Sequence, residues 1–177
     1  SPAVPPNRSR LFNLVNNERY QKFFLTTEEI QACRDGYIYI HDMSARRDTM
    51  NCCLFDVAHV LSGGFEMGNI WYNEPKTLDV AFDVIGDIVL SAASQQYGGF
   101  TVPSVDLILE PYAEKSYRRA LAKYERLGVA ADLAEKEALA DVKKEFEQGF
   151  QGWEYKFNTV ARRLGDYPFI TVTAGTG

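Results

Sequence analysis

The sequence predicts a helix-rich α/β fold that forms the opening part of a larger α/β barrel. Three observations lead there. The chain alternates from helices to two strand-like segments, then a long helical stretch, then one last strand. So few strands, separated by helical crossovers, do not make a closed sheet, because parallel strands need cover and isolated pairs are marginal. Yet 177 residues, 46% of them hydrophobic and 24% charged, suffice for the core of one domain.

Residues 1–10, opening with Ser1-Pro2-Ala3-Val4-Pro5-Pro6, read as a flexible lead-in, and residues 11–177 as one domain. Leu11, Leu14, Val15, Tyr20, Phe23 and Phe24 recur at roughly helical spacing. Thr26 and Glu29 have the spacing of a capping box, so a helix starts there and stops at Gly36. Tyr37–His41, aromatic and β-branched between Gly36 and Asp42, predicts a strand. After a loop from Met43 to Thr49, Met50–Phe55 is a second apolar segment that runs into a short helix over Val57–Leu61. Ser62-Gly63-Gly64 breaks it.

Pro75 fits a first helical turn, with Asn73 as a cap. The body of that helix runs from Thr77 to about Gln96, with Leu78, Phe82, Ile85 and Val89 on one stripe. Val80, Val84, Ile88 and Leu90 lie off the stripe, which predicts burial on more than one side and a surface needing a partner. Gly98-Gly99 reads as the helix stop and turn. The second half is mostly helical: Pro111–Leu127, then Ala130–Gln148, then Trp153–Leu164. Pro168–Thr173 is the last strand.

A net charge of −5 and a pI near 5.1 argue against a general nucleic-acid binder. Arg46-Arg47, Arg118-Arg119 and Arg162-Arg163 are local basic pairs that suit a nucleotide phosphate or a solvated surface. Cys33, Cys52 and Cys53 form neither a disulfide framework nor a C-x-x-C metal pair, which fits a reducing, cytoplasmic compartment. No apolar run approaches the ~20 residues that span a bilayer.

The strongest local oddity is His41-Asp42 at a strand end, followed by Asn51-Cys52-Cys53. Reactive groups of α/β enzymes sit at strand ends. Two buried cysteines are also ordinary apolar filling, and on the residues alone both readings stand. No Ser-His-Asp or Cys-His triad is legible, and Gln95–Gly99 lacks a phosphate-cradling glycine pattern.

Several segments in register resemble the class III, anaerobic ribonucleotide reductases. They are Asp35–Asp42, Asn51–Asp56, Leu61–Phe65, Ala92–Thr101, Asp106–Tyr112, and Asn158-Thr159 with Arg163, Gly165, Pro168 and Phe169. Together they cover most of residues 33–173. The resemblance implies a ten-stranded α/β barrel that reduces ribonucleoside triphosphates to deoxyribonucleoside triphosphates by radical chemistry. It implies a glycyl radical, an activase with an iron–sulfur cluster and S-adenosylmethionine, and a zinc site, all supplied outside this chain. It assigns Cys52 as the reductant cysteine, with Cys53 as second choice, and places His41, Asp42 and Asn51 near substrate. By the same analogy the Thr77–Gln96 helix adjoins a dimer interface and an allosteric nucleotide site, making the protein a homo-oligomer.

The family's radical-bearing glycine motif and its thiyl cysteine have no counterpart here, so the chain by itself is expected to be inactive. It then joins the remaining reductase segment. Two alternatives accompany this reading: a non-catalytic assembly piece of a split enzyme, and part of a glycyl radical enzyme of the pyruvate formate-lyase kind.

Overall fold

Thr26 shows how locally the first helices are decided. In the computed structural model, which describes residues 7–44, 52–96, 98–159 and 169–175, the Thr26 hydroxyl accepts the Glu29 N–H at 3.2 Å. The Glu29 carboxylate in turn accepts the Thr26 N–H at 2.7 Å. Helix α1 (Asn7–Phe24) comes before this capping box, beginning inside the stretch expected as a lead-in, and α2 (Thr27–Arg34) follows it. Gly36 ends α2 as expected, with φ at 80°. Its N–H bonds the Cys33 carbonyl while the Tyr37 N–H reaches back to Ala32, a Schellman closure.

The strand expected over Tyr37–His41 does not form. Residues 37–40 join no sheet among the described residues, and residues 41–44 turn. The amides of Tyr37 and Ile38 both bond the Ala32 carbonyl, so they close α2 instead of a ladder. Aromatic and β-branched composition marks a residue that suits a half-buried pleated surface, and here Tyr37 and Tyr39 stand exposed.

Strand β1 (Cys53–Leu54) leads into α3 (Val57–Leu61), capped by the Asp56 carboxylate on the His59 N–H at 3.1 Å. Both elements match the sequence reading. An unforeseen hairpin follows: β2 (Phe65–Met67) pairs antiparallel with β3 (Ile70–Tyr72). Gly68 and Asn69 both take positive φ, 61° and 64°, the backbone of a tight two-residue turn matched to strand twist.

Helix α4 (Leu78–Ala93) starts at Thr77, not at Asn73, and Pro75 lies buried ahead of it. Thr77 spends its hydroxyl on Asp79, so the Leu78 N–H is capped from elsewhere, by Ser116 Oγ at 2.9 Å. The helix closes at Ser94, and Gly99 opens β4 (Gly99–Val102) instead of ending a helix. Helix α5 (Val105–Arg126) begins ahead of Pro111, which sits inside it. The two helical segments expected after Ala130 are one helix, α6 (Ala131–Thr159), and β5 (Phe169–Val172) falls where expected.

The result is a helix-rich α/β arrangement. Its main sheet has the order β1-β4-β5 with both pairs parallel. Strand β4, missed by the sequence reading, is the central strand. Helix α4 packs against α5, α6 and β4, which accounts for its apolar residues on more than one side. At the centre, Phe82 meets Phe146, Phe150 and Trp153 at centroid distances of 6.0, 5.0 and 4.8 Å, and the Trp153 indole N–H donates to the Phe82 carbonyl at 2.7 Å. Gly149 makes this approach possible, because a Cβ there would lie 2.3 Å from the Phe82 ring. Among the described residues, no helix is long and apolar enough to cross a membrane.

Candidate active site at the open face of the sheet

The two faces of the main sheet differ, and the difference sorts the adjacent cysteines. Along residues 52–55 the side chains alternate: Cys52 and Leu54 are exposed, whereas Cys53 and Phe55 are half-buried and pack on the core. Period-two alternation permits only one of two neighbours to face each way. Register extends the pattern across the sheet. Cys53 pairs with Phe100, which pairs with Ile170, and all three contribute to the helix-covered side. Leu54, Thr101 and Thr171 line up on the other side, which among the described residues is left open.

Cys52 therefore projects toward the open face, and its Sγ accepts the Gly99 backbone N–H at 3.3 Å. None of the three cysteines is in a disulfide. His41 and Asp42 lie in the turn after α2, where the imidazole Nδ1 pairs with the neighbouring carboxylate. Asp42 holds a left-handed φ of 53°. Both belong to the turn over residues 41–44, where His41 is exposed and Asp42 half-buried, not to the sheet. Asn51 lies outside the described residues, as do Arg46-Arg47 and Arg162-Arg163.

Among the described residues, no group of three His, Cys, Asp or Glu side chains is placed to hold a metal ion.

A second concave feature was not legible as a site. A groove of about 810 Å³ lies between α4, α5 and α6. Arg119, Lys123, Lys144 and Lys156 line it together with Asp79, Asp141 and Glu145. Most of these charges are already engaged. Arg119 bonds Glu145 at 3.1 Å, Glu145 accepts the buried Ser116 hydroxyl at 2.6 Å, and Lys156 reaches Asp87 at 3.1 Å. The Thr77 hydroxyl holds the Asp79 carboxyl below its ordinary range, and Arg119 adds to this. Of the basic pairs read from the sequence, Arg118-Arg119 is divided: Arg118 bonds Glu114 along its own helix, and only Arg119 lines the groove.

Residues 3–177 match the family described as anaerobic ribonucleoside-triphosphate reductase. The chain belongs to that family. The anaerobic ribonucleoside-triphosphate reductase of Enterobacteria phage T4 is 32% identical over 179 aligned positions, which take in all of this chain and 29% of the phage protein. That of Escherichia coli (strain K12) is 31% identical across the whole chain and 25% of its own length. Among solved structures, the anaerobic ribonucleotide reductase from Thermotoga maritima with dATP bound in the specificity site superposes with a TM-score of 0.65, at 16% identity. The match covers 95% of this chain and 27% of that one. The same enzyme in complex with dATP and CTP gives 0.64. This chain thus spans between a quarter and a third of the length of the family members it matches.

Membership decides for the reductase over the lyase-like alternative, and at this low structural identity the superposition speaks for the fold alone.

Proposed function

We propose that this chain is an early segment of the catalytic barrel of an anaerobic ribonucleotide reductase, converting ribonucleoside triphosphates to deoxyribonucleoside triphosphates. In this reading residues 11–177 contribute part of a ten-stranded barrel, and the open face carrying Cys52, Leu54 and Thr101 becomes its lumen. Cys52 is the cysteine that delivers reducing hydrogen to the ribose. The observation that carries the assignment is the side-chain alternation, which turns Cys52 to the open face and seats Cys53 on the core.

His41, Asp42 and Asn51 are the proposed substrate-side residues, bonding ribose or phosphate from the segment that precedes β1. Radical chemistry is supplied by a glycyl radical, an activase with an iron–sulfur cluster and S-adenosylmethionine, while zinc is held by another part of the protein. The task of this segment is to orient the ribose, keep the thiol aligned and exclude water. An allosteric nucleotide is proposed for the groove beside α4, where Arg119, Lys123 and Lys144 suit phosphates. A homo-oligomeric contact is proposed along α4 beside that groove, where Val80 remains exposed. The compartment is the cytoplasm.

Two measurements test the reading. The purified chain, given activase, S-adenosylmethionine, formate and ribonucleotide without oxygen, should form no deoxynucleotide. In the complete reductase, Cys52→Ser should abolish turnover while the glycyl radical signal in electron paramagnetic resonance persists, and Cys53→Ala should keep most activity. Normal turnover in Cys52→Ser with a dead Cys53→Ala would reverse the assignment, and activity in both would remove it.

A further inference from the structure

The bond between Cys52 and Gly99 follows from the register of the sheet. Cys53 and Leu54 pair with Phe100 and Thr101 in a parallel ladder, so Cys52 and Gly99 stand opposite one another one step before the pairing begins. At that step the Gly99 N–H donates to the Cys52 sulfur at 3.3 Å. The pair is braced from the covered side. The rings of Phe55 and Phe100 lie 5.7 Å apart, and the Phe55 N–H bonds the Thr101 carbonyl at 3.3 Å.

The polarity of this bond matters for a thiol that must give up hydrogen. Sulfur accepts weakly, through a lone pair, so an N–H partner holds the atom without drawing on its S–H bond. A carbonyl partner would instead take the hydrogen that the reaction needs. The same N–H keeps its acceptor after the hydrogen has left, because sulfur retains lone pairs in either state. A donor in the backbone of a central strand is also fixed in place before the substrate arrives.

We infer that the Gly99 amide is the positioning group for the Cys52 thiol, holding its sulfur on the open face of the sheet in the geometry from which hydrogen is donated. This rests on the proposed role of Cys52 and adds how its thiol is held. The contribution of Gly99 is its N–H and not its missing side chain. A Cβ built there meets the Phe169 carbonyl at 3.5 Å, an ordinary contact. Gly99→Ala therefore keeps the donor and the fold, while Gly99→Pro removes the donor.

The test is amide hydrogen exchange in the whole chain, resolved by nuclear magnetic resonance. Cys52→Ala should speed exchange at Gly99 about fivefold, and Cys52→Ser, which restores an acceptor, should return it most of the way. The Phe55 amide, bonded across the same two strands, should not change. Unchanged exchange at Gly99 in Cys52→Ala, with Phe55 also unchanged, overturns the inference. Should Phe55 accelerate as well, peptide-resolved alkylation of Cys52 by iodoacetamide decides. Gly99→Ala should then match the parent chain and Gly99→Pro should differ severalfold, whereas equal rates in the two variants overturn it. Turnover tests what Cys52 does and exchange tests what holds it, so either reading can fail without the other.

Discussion

Helices α1 and α4 both carry large apolar residues, α1 among many polar and charged ones and α4 almost throughout, and they end in opposite surroundings. In α4, Leu78, Ala81, Phe82, Ile85, Ile88 and Val89 are all buried, between the sheet on one side and α5 and α6 on the other. In α1, Leu11, Phe12, Leu14, Val15, Phe23 and Phe24 are exposed, and among its described side chains it is Asn16 that lies buried. Helix α1 packs extensively against none of the described elements. Apolar residues at helical spacing thus give a helix in both places, but they give stability only where a second surface receives them.

The sharpest way to break this comparison is one pair of truncations. Phe82→Ala removes a ring that is 2% exposed and touches three other aromatics, so it should cost ~3–5 kcal/mol in urea unfolding. Phe12→Ala, at a site 53% exposed, should stay within about 0.5 kcal/mol of the parent. Similar costs for the two would mean that α1 is covered as α4 is.

A finer contrast lies within α6. Gly149 faces Phe82 with no room for a methyl group, while Gly152, one turn on, has nothing within 4 Å of a built Cβ. Gly149→Ala should destabilise by roughly 1–3 kcal/mol through forced displacement of the ring. Gly152→Ala should stabilise by roughly 0.5–1 kcal/mol, because alanine loses less backbone freedom in a helix. If both substitutions stabilise, the α4–α6 contact is looser than the geometry states.

What the sequence revealed divides along the same line. Signals carried by neighbours in the chain were readable: the Thr26–Glu29 box, the Gly36 stop, the β1-to-α3 passage and the last strand. The resemblance in several short segments led to the right family, and alternation alone required Cys52 and Cys53 to face opposite ways. Elements set by distant partners were not readable. Strand β4 is a four-residue run just past Gly98 whose identity as the central strand depends on β1 and β5, 47 and 69 residues away in contacts such as Cys52–Gly99 and Thr173–Ser104. Tyr37–His41 has strand composition but spends its first amides on α2. The α4 cap was misplaced because its donor is satisfied by Ser116, 38 residues on. Gly68-Asn69 was a local signal that a closer reading of turn chemistry would have caught.

The smallest expected effect concerns the charge that ties the approach to α4 onto α5. Glu74 accepts the Lys115 ammonium at 2.7 Å and the Gly63 N–H at 3.3 Å, joining the turn after α3 to α5, and Lys115 also reaches the Pro75 carbonyl. The Lys115 hydrogen bond, followed by the Gly63 N–H, holds the Glu74 carboxyl below its ordinary range. A carboxyl whose folded pKa lies below its unfolded one binds its proton more readily in the unfolded chain. Its contribution is therefore complete above the ordinary carboxylate range and is lost as pH falls through the folded value. Both side chains are substantially exposed, so solvent and salt screen the pair and the contribution is small. The stability gap between the parent chain and Glu74→Gln should be present at about pH 7, shrink toward about pH 3, and narrow with added salt even at neutral pH. Urea midpoints of the two chains across that range provide the check. A gap that stays constant with pH and salt would mean that Glu74 acts through packing at the α3 turn, and that α4 is anchored at its start by Ser116 and apolar contact alone.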